Sequence, residues 1–72
     1  MKITEERLLN WFTYHPPSPE QIPAYEEIRD AGLAFARVIL RLTPPSADQS
    51  SAIRKIREAV MAGNAAIACQ GQ

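Results

Sequence analysis

Apolar residues recur at three- and four-residue intervals in two long runs of the chain. Tyr25, Ile28, Gly32, Phe35, Ile39 and Leu42 follow a 3-4-3-4-3 spacing, and Ile53, Ile56, Val60, Gly63 and Ile67 follow 3-4-3-4. Such spacing lines one face of an α-helix with a continuous apolar seam. Alternation with period two is lacking, so strands have little support. Prolines punctuate the pattern: Pro16, Pro17, Pro19 and Pro23 follow a short first segment, and Pro44-Pro45 separates the two long ones. The pattern predicts an all-α chain with one domain over residues 1–72. Its elements are a short helix at about 4–12 and an antiparallel hairpin of helices at about 19–42 and 46–69.

Helix-start chemistry supports these bounds. Thr4 is a candidate N-cap, followed by Glu5 and Glu6 at the positive end of the helix dipole. Ser18-Pro19-Glu20-Gln21 has the Ser and Gln spacing of a capping box with proline at the first helical position. Pro23 removes one backbone donor in the first turn and predicts local irregularity there. Ser46 and Gln49 repeat the capping-box spacing. Gly71 lies just past the last helix, and the tail beyond it is expected to fray. Helices of about 22 residues are roughly 33 Å long at 1.5 Å per residue. The short Pro-Pro link makes them antiparallel neighbours.

The two facing seams leave apolar surface over. Leu33, Ala36 and Leu40 lie on a different side of the second helix from the Phe35–Ile39 seam, and Ala31, Ala34 and Val38 broaden it. Ala59, Ala62, Ala65, Ala66 and Ala68 give the third helix small residues that permit close approach. Burying one large aliphatic side chain stabilises by about 1.5–3 kcal/mol. A chain of 72 residues buries little more than roughly 60% of its unfolded surface. Chains of this size usually add disulfides, metal or oligomerisation. Cys69 is the sole cysteine and His15 the sole histidine, so neither an internal disulfide nor a structural zinc site is available. A homo-oligomer held by helix–helix interfaces is expected.

Charge narrows the function. Eight Lys and Arg balance eight Asp and Glu, whereas a protein that grips DNA through its phosphates should be basic. The neutral charge and the linker length argue against a helix-turn-helix DNA binder. No apolar run reaches the ~18–20 residues of a membrane span. The acidic start MKITEERLLNW does not read as a signal peptide. A cytoplasmic protein with neither DNA nor membrane as partner is expected.

Catalysis finds no support in the residues. There is no Ser-His-Asp pattern, metal cluster or glycine-rich phosphate loop. Neither a metal nor any other cofactor is expected. Glu26-Glu27 reads as a solvated helix face and Cys69 as a small apolar residue near a helix end. The informative stretch is Trp11-Phe12-Thr13-Tyr14-His15-Pro16-Pro17. Trp11 and Phe12 either cap the hairpin core or join a binding surface. Tyr14 and His15 lie in a proline-stiffened loop, where a ring can stack a nucleobase at small entropic cost. The alternative for His15 is a loop histidine that hydrogen-bonds locally. Arg29, Arg37 and Arg41 offer planar forks for phosphate, or are surface charges paired with carboxylates.

Tyr14-His15-Pro16-Pro17-Ser18-Pro19-Glu20-Gln21, then Tyr25-Glu26-Glu27-Ile28-Arg29, then Ala34-Phe35-Ala36 resemble the phage anti-CBASS cyclic-oligonucleotide sponges. The third helix adds Ile53-Arg54-Lys55-Ile56-Arg57-Glu58-Ala59-Val60-Met61, similar to that family's "LRKLREAVM" stretch. Asn64-Ala65-Ala66-Ile67-Ala68 is similar to its "NAxIA" ending. The resemblance covers residues 14 to 68. It implies a small, helical, hexameric protein without enzymatic activity that binds cyclic dinucleotides made by CBASS cyclases. Some members also hold cyclic trinucleotides at separate pockets. Sequestration keeps the messenger from the host effector. The resemblance implies a base-stacking role for Tyr14 and phosphate contact for Arg29, and the aromatic stretch itself adds His15 and Trp11 as candidate ligand contacts. Asn64 matches a family asparagine, either a ligand contact or a helix-packing residue. Gly63 stands where alanine is usual. Cys69-Gln70 stands where a basic residue is typical, which bears on the trinucleotide mode. A small helical interaction module, adaptor or antitoxin-like, is the alternative function.

Overall fold

The computed structural model describes residues 1–71. The chain forms α1 (Glu5–Trp11), α2 (Ile22–Leu42) and α3 (Ala47–Ala68), with no strand among the described residues. The all-α architecture of a short helix followed by a helical hairpin is as the sequence predicts.

Thr4 caps α1, its Oγ1 accepting the Arg7 N–H at 3.2 Å. Ser46 caps α3 in the same way, accepting from the Gln49 N–H at 3.1 Å. The start of α2 differs from the expectation. Regular helix begins at Ile22, not residue 19, and Ser18 supplies no side-chain cap. Proline carries no N–H, so Pro23 removes the rung back to residue 19, and residues 19–21 form turns. Each capping box is half made, by opposite halves. At Ser18 the Gln21 Oε1 accepts the Ser18 N–H at 3.0 Å. At Ser46 the hydroxyl half forms, while the Gln49 amide turns to α2 and donates to the Thr43 carbonyl at 2.9 Å.

The end of α3 is tied down. The Gly71 N–H bonds to the Ala66 carbonyl at 2.9 Å and the Gln70 N–H to the Ile67 carbonyl at 3.2 Å. That is the paired closure of a Schellman motif. Gln70 takes its left-handed position with φ 52°, and Gly71 follows with φ 74°. The fraying expected of the tail does not reach Gly71, and residue 72 lies outside the described residues.

The two seams meet as expected at their centre. A Cβ on Gly32 would overlap Val60 Cγ2, whereas one on Gly63 would sit 3.5 Å from Ile28 Cδ1, an ordinary contact. The helices approach closely at Gly32 because that position carries no side chain. Gly32→Ala should therefore destabilise the protein by about 1–2 kcal/mol, overpacking exceeding the gain in helix propensity. Gly63→Ala should stabilise it by up to about 1 kcal/mol. Thermal unfolding at equal protein concentration checks both, at roughly 4–8 °C per kcal/mol. Shifts of the same sign in the two variants would contradict this packing.

Further along, the expected seam does not close. Phe35 is 56% exposed and Leu42 69%. Two helices cover only a stripe of one another, and no third helix packs against this half of the hairpin. No described residue is fully buried. The molecule measures 44 × 29 × 17 Å with a radius of gyration of 15.1 Å, against about 11 Å for a compact domain of this length. It exposes 5874 Å², about 1,400 Å² more than the scaling for folded monomers of its mass gives.

Candidate ligand-binding site

The loop between α1 and α2 carries Tyr14 and His15 across one end of the hairpin. Pro16 and Pro17 hold the residues before them extended. Tyr14 is 82% exposed, its ring free to stack. His15 is half-buried, and its Nε2 lies 2.7 Å from the Asn10 carbonyl, so that nitrogen carries the proton and donates. The hydrogen-bonding alternative for His15 is thus realised, yet the ring still lines a cleft.

That cleft, of about 330 Å³, is bounded by His15, Pro17, Ile22, Tyr25, Glu26 and Arg29. Tyr25 and Arg29 stand four apart on α2, one helical turn, so both face it. Arg29 is exposed, and no carboxylate among the described residues pairs with its guanidinium. Arg37 and Arg41 are likewise exposed without a carboxylate partner among those residues. The volume lies at the low end for small-molecule sites, about 300–1,000 Å³. Chemically the cleft offers one fork for an anion, one imidazole and two nearby phenol rings, with Glu26 opposing negative charge.

The other candidate residues lie elsewhere. Trp11 lines a separate hollow with Ala62, Ala65 and Ala66 of α3. Asn64 is half-buried on α3 and does not line the Arg29 cleft. Its Oδ1 is buried without a hydrogen-bond partner among the described residues. Of the five candidates, His15 and Arg29 share the cleft and Tyr14 stands next to His15 in the chain. A larger hollow of about 530 Å³ lies behind the loop, lined among others by Arg7, Asn10, His15 and Cys69. Sequence reasoning passed over Asn10, Gln21 and Tyr25. Tyr25 was readable from its i, i+4 relation to Arg29, whereas the amides act across the chain.

An apolar groove of about 500 Å³ runs along the hairpin, lined by Phe35, Ile39, Ile56, Ala59 and neighbours. Lys55 borders it. No helix is long and apolar enough to cross a membrane among the described residues.

The family model for the Acb2/Tad1 hairpin domain matches residues 4–68. No curated protein and no solved structure matches the chain.

Proposed function

The chain belongs to the Acb2/Tad1 hairpin-domain family, the anti-CBASS cyclic-oligonucleotide sponges, and from that premise we propose that it sequesters a cyclic dinucleotide without catalysis, between two copies of itself. Tyr14 stacks on a base and Arg29 pairs with a phosphate, once per nucleotide. His15 closes the cleft floor. The messenger is thereby withheld from the CBASS effector in the host cytoplasm. Neither DNA nor a membrane is a partner.

The observation that carries this function is the meeting of Arg29 and His15 in one cleft at the foot of the loop bearing the exposed Tyr14. A cyclic dinucleotide has two bases and two phosphates in approximate two-fold symmetry. Two copies of a small cleft suit it better than one.

Self-association, as the hexamer the family implies, has two further supports. The surplus of about 1,400 Å² is nearly two standard contact patches of about 800 Å² each. Charge is also segregated along the rod. Residues 1–32 hold three Lys or Arg against six Asp or Glu, and residues 33–72 hold five against two. The proposed site lies in the acidic half, where a dianion is repelled. A second copy running the opposite way brings its basic half alongside.

The test mixes the purified chain with a panel of cyclic di- and trinucleotides, separates free ligand and releases bound ligand by heating. Depletion of 3′,3′-cyclic GMP-AMP with intact release is expected. Degraded ligand would mean an enzyme. No depletion of any nucleotide would favour the helical interaction module that the exposed apolar groove also suits.

A further inference from the structure

We propose that Asn10 and Gln21 are positioning residues that clamp the Tyr14 loop onto the C-terminal end of α3 and so preset the stacking ring for its ligand; this rests on the function proposed above. Helix packing is confined to α2 and α3, so α1 and the loop after it are not held by a helix–helix interface. Among the described residues, a short set of side-chain hydrogen bonds ties the loop to the end of α3. Asn10 Nδ2 donates to the Cys69 carbonyl at 3.3 Å. The Asn10 carbonyl in turn accepts from His15 Nε2 at 2.7 Å. At the other end of the loop, Gln21 Nε2 donates to the Ile67 carbonyl at 3.2 Å. The same amide accepts the Ser18 N–H through its Oε1 at 3.0 Å.

The acceptors lie at the end of α3, Ile67 in its last turn and Cys69 at its C-cap, where carbonyls lack intrahelical amide partners. Asn10 satisfies the Cys69 carbonyl, Gln21 adds a second donor to the Ile67 carbonyl beside the Gln70 N–H, and a carboxylate of the same shape could do neither. The loop is therefore gripped before Tyr14 by Asn10, immediately after it by His15, and again at Gln21. Three prolines lie between the grips. A ring so placed binds without first being ordered, which is the advantage of preorganisation.

Asn10→Ala and Asn10→Asp remove the donor, the second with almost no change of shape. In the free full-length chain, backbone NMR order parameters should fall at Thr13, Tyr14 and His15 in both variants and stay unchanged in the middle of α2 and α3. Affinity for 3′,3′-cyclic GMP-AMP should fall about 10-fold, the scale of immobilising one or two side chains. In a Tyr14→Leu background the same Asn10 change should have no further effect on affinity. Gln21→Glu loses the donor to the Ile67 carbonyl but keeps an oxygen for the Ser18 N–H, so it should lower affinity while Ser18 stays protected. Unaltered order parameters at residues 13–15 would overturn the proposal. So would an equal affinity loss with and without the Tyr14 ring, which marks a general structural role. A wild-type chain that binds no cyclic nucleotide would refute the proposed function instead, while the order parameters still decide whether the clamp holds the loop.

Discussion

Tyr14→Ala should weaken cyclic dinucleotide binding by roughly 30- to 10,000-fold. Stacking on an aromatic ring is worth about 1–3 kcal/mol per base, and a two-fold site loses two rings for each ligand. That sums to about 2–6 kcal/mol, with each 1.4 kcal/mol a factor of ten. Folding should be unaffected, because the ring is 82% exposed and supports nothing around it. Tyr14→Phe keeps the π-face and should bind nearly as well. Arg29→Ala leaves a phosphate without its fork and should lose a comparable amount, since hydrogen bonds to charged groups are worth about 1.5–3 kcal/mol. Arg29→Lys keeps the charge but not the bidentate geometry and should fall between. Titration calorimetry with 3′,3′-cyclic GMP-AMP reads all four. Native affinity in both alanine variants would sink the site.

Phe35→Glu should turn the assembly into a monomer at micromolar concentration. The ring is 56% exposed at the edge of the apolar groove. Covering its open part buries about 100 Å², worth about 2.5 kcal/mol per copy at 25 cal/mol per Å². In a self-complementary contact the loss counts twice, about 5 kcal/mol or 10³- to 10⁴-fold in the dissociation constant. A buried carboxylate adds its own penalty. Sedimentation velocity of wild type and variant checks this. A wild-type monomer, or an unchanged stoichiometry in the variant, would mean that this groove is not the contact. On the proposed two-copy site, depletion of the cyclic dinucleotide should fall together with assembly.

Much of the fold was legible because helix signals are local. Thr4 and Ser46 cap as their spacing predicts, and the central seam closes at Gly32 against Val60. The errors arise where neighbours outside the local pattern decide. Phe35 and Leu42 carry the right period, yet an isolated pair of helices cannot cover them. Pro23 delays α2 because its missing donor outweighs a favourable cap sequence. The site was legible at Arg29 and His15, which one helix and one loop bring to the same cleft. Trp11 and Asn64 were not, because their faces depend on how α1 and α3 are rotated. Asn10 escaped notice for a plainer reason. Its partner Cys69 is 59 residues away, and no periodicity spans that distance.

Gln49 and Gln21 stand at opposite ends of the hairpin, each donating its amide from one long rod, or from the loop leading into it, to a carbonyl of the other. Sliding one rod past the other by a single turn would break both links together. Longitudinal alignment is thus guarded at the two extremities, and the smooth alanine- and glycine-lined middle is spared that task. The middle then has only to set how closely the rods approach, which Gly32 does, while the two ends fix the distance from one tip of the protomer to the other.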